Sequence, residues 1–104
     1  MLCMTVRPQV LRGGAVFDGL GSPARALDVL VADGRVAGLL GPGAQVGADV
    51  EEVDVRGCWV TPGFIDLHTH YDAELELLPA LGESVRHGVT TVFLGSCGLS
   101  MAIG

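Results

Sequence analysis

The stretch PGFIDLHTH, residues 62–70, decides the fold of this chain. Its Pro62-Gly63 pair marks a boundary, and the apolar positions that follow predict a strand over residues 64–70. A second strand is predicted over residues 89–94. Two short helical segments are predicted in the interval, over residues 72–78 with Asp72 as N-cap and over about residues 80–87. A strand, a helical connection and another strand within about 30 residues form a βαβ unit, so the two strands are expected to run parallel.

The sequence before Pro62 has a different pattern, with frequent turns between short apolar runs. Ten of the sixteen glycines fall between Gly13 and Gly57. Asp33-Gly34 separates two of the runs and favours a two-residue hairpin turn. Cys58 and Trp59 are expected to pack inside this region. The predicted strands cover residues 10–17 (interrupted by Gly13-Gly14), 26–32, 35–40, 50–55 and 58–61.

These two patterns predict two regions, a β-rich module over residues 1–61 and a first βαβ unit over residues 62–104. A parallel pair of strands needs further strands beside it and helices on its faces, and 104 residues do not supply them. The chain is therefore expected to be the N-terminal portion of a longer α/β protein.

The charge balance and the cysteines argue against several classes of protein. Six basic and twelve acidic residues give a net charge of −6, so the chain has little attraction for nucleic acid or anionic membranes. The three cysteines, Cys3, Cys58 and Cys97, cannot all pair with one another and form no CxxC motif, which favours a reduced, cytoplasmic location. Neither a signal peptide nor a membrane span is predicted.

His68-Thr69-His70 is the main chemical signal in the sequence. On a strand, residues i and i+2 point to the same face, which brings the two imidazoles within reach of one metal ion. Catalytic groups of parallel α/β folds collect at the carboxyl ends of the strands, where this pair is expected to lie. The alternative is a chance pair of histidines on a solvated turn.

Asp66 has the same parity as His68 and His70 on the predicted strand. Metal-bound histidines usually donate their second ring N–H to a carboxylate or carbonyl, and Asp66 is a candidate for that supporting role. The alternative is a buried carboxylate that hydrogen-bonds to backbone groups.

Cys97 is placed just past the carboxyl end of the second predicted strand. Neighbouring strands lie about 4.8 Å apart, so its thiol can approach the same edge as the two histidines. Three interpretations stay open: a zinc ligand, an inert packing residue, and a nucleophile on a turn after a strand.

Taken together, residues 62–72, PGFIDLHTHYD, resemble the signature of the metal-dependent amidohydrolase superfamily. The hairpin at residues 33–36, DGRV, resembles part of the small β-sandwich that flanks the catalytic (β/α)8 barrel of these enzymes. Residues 88–92, GVTTV, followed by GSCG at 95–98, resemble the N-acyl-D-amino-acid deacylase (D-aminoacylase) branch, whose usual form is Gly-Asn-Cys-Gly. The resemblance implies an α/β fold, in which half of a β-sandwich precedes the N-terminal part of the barrel.

The resemblance also implies a function, the zinc-dependent hydrolysis of the amide bond of N-acyl-D-amino acids. In that branch Cys97 would hold the principal zinc together with later histidines, and His68 and His70 would contribute to a second metal position. A later aspartate would act as general base, so no catalytic residue is expected within these 104 residues. The isolated chain is therefore expected to be inactive, with a small-molecule substrate as the partner of the whole enzyme.

Two other interpretations remain. One is a cyclic-amide hydrolase of the hydantoinase or dihydroorotase kind, which commonly bridges two metals with a carboxylated lysine. Tyr71-Asp72 and Cys97 favour the deacylase branch over it. The other is a non-catalytic truncated product or a β-rich interaction module.

Overall fold

A computed structural model describes residues 6–72, 74, 82–95 and 98 of the chain. Its backbone divides into two compact units, Met1–Pro62 and Gly63–Gly104. Within the described part of the chain, no helix has the length and hydropathy that a membrane crossing requires.

The described part of the first unit contains seven short strands in two sheets. One sheet has four strands in the order β5-β4-β1-β6, and the other has three in the order β3-β2-β7. The strands are β1 (Gln9–Arg12), β2 (Ala15–Val16), β3 (Arg25–Ala26), β4 (Asp28–Ala32), β5 (Arg35–Leu40), β6 (Glu51–Asp54) and β7 (Trp59–Val60).

The Asp33-Gly34 turn joins β4 and β5 as the sequence predicts. Both residues have positive φ, 51° and 70°, and the two strands pair antiparallel. The single strand predicted over residues 26–32 is instead divided at Leu27, because Ala26 pairs with Ala15 in one sheet and Asp28 pairs with Leu40 in the other. Residues 26–32 are therefore divided between the two sheets.

The core of the first unit is made of valines, and the packing expected of Cys58 and Trp59 is wrong. Val10 is fully buried and Val16 nearly so, whereas Trp59 is 76% exposed and Cys58 is exposed. Trp59 pairs with Ala15 across the second sheet and meets Phe17 edge-on, with ring centroids 5.4 Å apart. This face of the sheet leaves the indole largely open to solvent.

The second unit contains strand β8 (Phe64–Asp66), helix α1 (Gly82–Arg86) and strand β9 (Val89–Val92). The two strands pair parallel, which confirms the predicted direction. Helix α1 is followed by a turn at His87 and Gly88, and the φ of 80° at Gly88 is accessible to glycine without strain. The short helix predicted over residues 72–78 lies mostly outside the described residues.

Strand β8 is shorter than predicted and stops before the histidines. Its last residue, Asp66, accepts a hydrogen bond at its Oδ1 atom from the backbone N–H of His68, at 3.0 Å. A side chain that bonds the backbone two residues ahead forms a turn, and this turn ends the strand. The expectation that His68 and His70 lie on the strand is therefore wrong, and both lie in the loop after it.

Candidate metal site

His68 and His70 are adjacent in the loop that follows β8. Their ring centroids are 5.3 Å apart, with an interplanar angle of 61°. Both side chains are exposed, and among the described residues neither ring has a hydrogen-bonding partner. The loop thus presents two imidazoles side by side, although not by the strand parity that predicted it.

Thr69, between the two histidines, points the opposite way into the unit. It is only 6% exposed, and its Oγ1 donates a hydrogen bond to the carbonyl oxygen of Phe93, at 2.8 Å. Phe93 directly follows β9, and its N–H donates to the carbonyl oxygen of Asp66, at 2.9 Å. These two bonds fix the histidine loop to the carboxyl end of the neighbouring strand, a role that sequence reasoning did not assign to Thr69.

A second tether follows directly along the chain. The Tyr71 hydroxyl and the Ser84 hydroxyl of α1 are 2.6 Å apart and share a hydrogen bond. This bond joins the loop to the helix that connects the two strands. The segment that carries the histidines is therefore held by side-chain bonds on both sides.

Two carboxylates flank the histidines, and they differ in surroundings. Asp66 is half-buried and accepts a hydrogen bond from the His68 backbone. This bond matches the second interpretation of Asp66 given above, a carboxylate that hydrogen-bonds to backbone groups. Asp72 is 5% exposed, and its Oδ2 is buried with no hydrogen-bond partner in the described structure. Sequence reasoning used Asp72 as a mark of the family and as the N-cap of a short helix; its burial could not be read from the local pattern.

The donor set of the loop suits zinc but is incomplete. Imidazole nitrogen is a regular zinc ligand, and a catalytic site generally has three protein ligands. Among the described residues, no three side chains of histidine, cysteine, aspartate or glutamate come together to hold a metal ion. Cys97, the third predicted ligand, lies outside the described residues.

The first unit has a charged cluster of its own, centred on Asp28. This carboxylate is 2% exposed and accepts hydrogen bonds from Arg12 Nη1 at 2.8 Å and from the backbone N–H groups of Gly13 and Gly43 at 3.0 and 2.8 Å. The guanidinium of Arg12 and the two N–H groups lower the pKa of Asp28. A cavity of about 770 Å³ borders this cluster. The carboxylate is fully engaged in holding the strands and loop together, so the cluster is structural.

Comparison with known proteins finds similarity to N-acyl-D-amino-acid deacylases. The chain is 41% identical over 93 residues to the N-acyl-D-aspartate deacylase of Alcaligenes xylosoxydans xylosoxydans, a match covering 89% of this chain and 18% of the relative. No family model matches the sequence.

Comparison with solved structures gives the same similarity. The crystal structure of D-aminoacylase matches with a TM-score of 0.76 and 40% identity, over 91% of this chain and 20% of that one. The N-acyl-D-glutamate deacylase of Bordetella bronchiseptica, solved with zinc and a phosphonate inhibitor, matches with a TM-score of 0.74 and 38% identity, over 92% and 20%.

The sequence and the fold therefore define a metal-dependent amidohydrolase segment. More narrowly, the chain belongs to the D-aminoacylase branch of that superfamily and corresponds to its N-terminal portion. It spans 14% to 19% of the length of the curated relatives that match most of it.

Proposed function

We propose that this chain forms the N-terminal part of a zinc-dependent enzyme that hydrolyses the amide bond of N-acyl-D-amino acids. The observation that carries the proposal is the pair of adjacent, exposed imidazoles of His68 and His70 at the carboxyl end of β8. The similarity to N-acyl-D-amino-acid deacylases over nine tenths of the chain supports it.

In this proposal residues 1–61 form a β-rich module, half of a small β-sandwich, and residues 62–104 begin a (β/α)8 barrel. The parallel pairing of β8 with β9 supports the barrel, since such barrels are built from parallel strands. The three cysteines without a CxxC motif support a cytoplasmic location.

His68 and His70 would contribute one metal position, and Cys97 would hold the principal zinc. When bound, zinc polarises an amide carbonyl and lowers the pKa of a coordinated water. The role of this chain is to hold the ligands at the mouth of the barrel, with the loop fixed by Thr69. Asp66 stays a candidate for the carboxylate that supports an imidazole, and the general base is expected further along the polypeptide.

The experiment is a ranking of three ligand variants in the polypeptide that continues through the barrel. Cys97→Ala should remove the tightly bound zinc and the turnover of N-acyl-D-amino acids, because a methyl group cannot replace a thiolate ligand. His68→Ala and His70→Ala should have smaller effects, since they contribute to the weaker position. His87→Ala, an exposed histidine after α1, is the matched control. A Cys97→Ala enzyme with its zinc and its rate intact would contradict the deacylase assignment.

The substrate assay separates this proposal from its rival. N-acyl-D-amino acids should be hydrolysed, whereas a five-membered cyclic amide such as hydantoin should not. Turnover of hydantoin alone would place the protein with the cyclic-amide hydrolases. Absence of turnover and of metal would indicate a non-catalytic product.

A further inference from the structure

Asp72 carries a buried oxygen that the structure leaves unpaired. The residue is 5% exposed, and its Oδ2 has no hydrogen-bond partner in the part of the chain that the structure describes. A carboxylate oxygen removed from water without a donor is unfavourable, so such atoms normally meet an N–H, an O–H or a cation in the functional state. The buried Oδ2 of Asp72 is therefore a candidate acceptor for a hydrogen bond.

The backbone holds Asp72 close to His70, two residues further along the chain. Two consecutive peptide units span at most about 7 Å between Cα atoms, and the intervening residue is fixed by the bond from Tyr71 to Ser84. The imidazole of His70 is exposed, and its ring nitrogens have no partner among the described residues. A Cα separation of at most about 7 Å lies within the combined reach of a histidine and an aspartate side chain, so we infer that a ring N–H of His70 can meet this carboxylate.

Asp66, the carboxylate that the sequence favours for this role, is less suited to it. Its Oδ1 already accepts the backbone N–H of His68, and the side chain is only half-buried. Water can therefore satisfy its second oxygen. Among the residues that the structure describes, the buried oxygen without a donor belongs to Asp72.

We propose that Asp72 is the positioning residue of His70: when His70 binds a metal ion, its other ring N–H donates a hydrogen bond to Asp72 Oδ2. This role rests on the proposed metal position at His68 and His70. Such a bond fixes the tautomer and orientation of a metal-bound imidazole. In this role Asp72 acts through His70 and is not itself a ligand.

The test uses the 104-residue chain with ¹⁵N-labelled histidine. The chain has three histidines, so their ring signals are readily assigned, and His87 serves as an internal reference. With a large excess of zinc, the ring ¹⁵N signals of His68 and His70 should shift, and the remaining ring N–H of His70 should exchange slowly with water. The zinc affinity is measured in the same titration.

Asp72→Ala should abolish the slow exchange of the His70 ring N–H and lower the zinc affinity about 10- to 100-fold. Asp72→Asn, which keeps the shape and one acceptor oxygen, should lie between Asp72→Ala and the unaltered chain. Asp66→Asn is the matched control and should leave the His70 N–H protected. The amide signals of β8 and β9 report whether each variant keeps the fold. If Asp72→Ala does not keep the fold, the comparison of Asp72→Asn with the unaltered chain tests the role of Asp72.

The outcomes separate this inference from the proposed function. If zinc shifts both histidines but neither Asp72 variant changes the exchange or the affinity, the role of Asp72 is refuted and the metal position stands. The same holds if only Asp66→Asn has an effect. If zinc leaves His68 and His70 unshifted, the metal position and the role of Asp72 both fail.

Discussion

The two compact units of this chain bury different kinds of side chain. In the described part of the first unit the buried side chains are those of three valines and one carboxylate: Val10, Val16, Val29 and Asp28. In the second unit the described buried residues are polar, Thr69 and Asp72, whereas Phe64 and Ile65 of β8 are each 62% exposed. The buried side chains of the first unit lie on its strands, whereas those described in the second unit lie in the segment that carries the histidines.

This difference indicates what each unit is organised to do. The first unit places its apolar side chains between its own strands, which is the ordinary source of stability in a small β-structure. In the second unit, side-chain hydrogen bonds hold the loop that presents the histidines, and they give less stability than an apolar core. Substitutions should therefore affect overall stability most in the first unit and the site most in the second.

The largest effect is expected for Asp28→Ala in the first unit. It leaves Arg12 Nη1 and the backbone N–H groups of Gly13 and Gly43 without their common acceptor. We expect the melting temperature of this unit to fall by roughly 10 °C or more. Trp59 is the only tryptophan and lies in this unit, so its fluorescence follows the transition. Unchanged melting would show that the Asp28 cluster does not hold the module together.

Acid should also destabilise the Asp28 cluster. The effect should be smaller than that of Asp28→Ala, because the side chain remains. Arg12 and the two N–H groups hold the pKa of Asp28 below its ordinary value. The charged form therefore stabilises the folded state above about pH 4, and this stability is lost as the pH falls from there through the folded-state pKa. The acid limb of a Trp59 fluorescence titration measures this loss.

Asp28→Asn is the control for the acid limb, because the amide does not ionise in this range. The limb should be shallower in that variant. Exposed Asp54, whose pKa is lowered to about 2 by its hydrogen bonds with Arg56, contributes little, since that pair joins residues two apart on the surface. An equally steep limb in Asp28→Asn would assign the acid effect to other carboxylates.

Gly63→Ala should be the most damaging glycine substitution in the second unit. A Cβ at this position would lie 2.7 Å from the Cβ of Thr90, with the Thr90 Oγ1 and Cγ2 atoms closer still. Crowding of this kind costs about 1–3 kcal/mol and should separate β8 from β9. Amide hydrogen exchange across β9 measures the effect.

Gly82→Ala is the matched control for Gly63→Ala. Position 82 is open within 4 Å and lies at the start of α1, where alanine should be neutral or stabilising by at most about 1 kcal/mol. Equal effects of the two alanines would exclude contact with Thr90 as the cause.

The smallest effect on stability, about 1 kcal/mol, is expected for Thr69→Val. Valine keeps the shape but cannot donate to the Phe93 carbonyl oxygen, so the loop loses one of its bonds to β9. Thr69→Ser retains the hydroxyl and should retain the bond. The comparison is made by hydrogen exchange at Phe93 and by the ring ¹⁵N line widths of His68 and His70. Identical histidine signals in both variants would show that Thr69 does not order the loop.

Much of the fold could be predicted from local pattern. The Asp33-Gly34 turn requires positive φ and selects a hairpin whatever surrounds it, and the parallel direction of β8 and β9 follows from the helical connection between them. The predicted bounds of the strands were less accurate. The division of residues 26–32 at Leu27 depends on which sheet each half joins, and no local pattern carries that information.

The candidate site was predicted in part. The pairing of His68 with His70 followed from their spacing, but the strand that was to align them ends at Asp66. The bond from the Asp66 carboxylate to the His68 backbone competes with strand pairing, and residue types alone do not decide which of the two forms. Cys97 stays a prediction.

The sequence by itself determined the order of the elements, the turn residues and the two imidazoles, because each of these depends on residues close together in the chain. Only the tertiary structure decided that Thr69 and Asp72 are buried beside exposed histidines. The reason is that Thr69 bonds Phe93, 24 residues away, and Tyr71 bonds Ser84, 13 residues away. Contacts of that separation set which polar atoms lose water, and the periodicity of the sequence does not encode them.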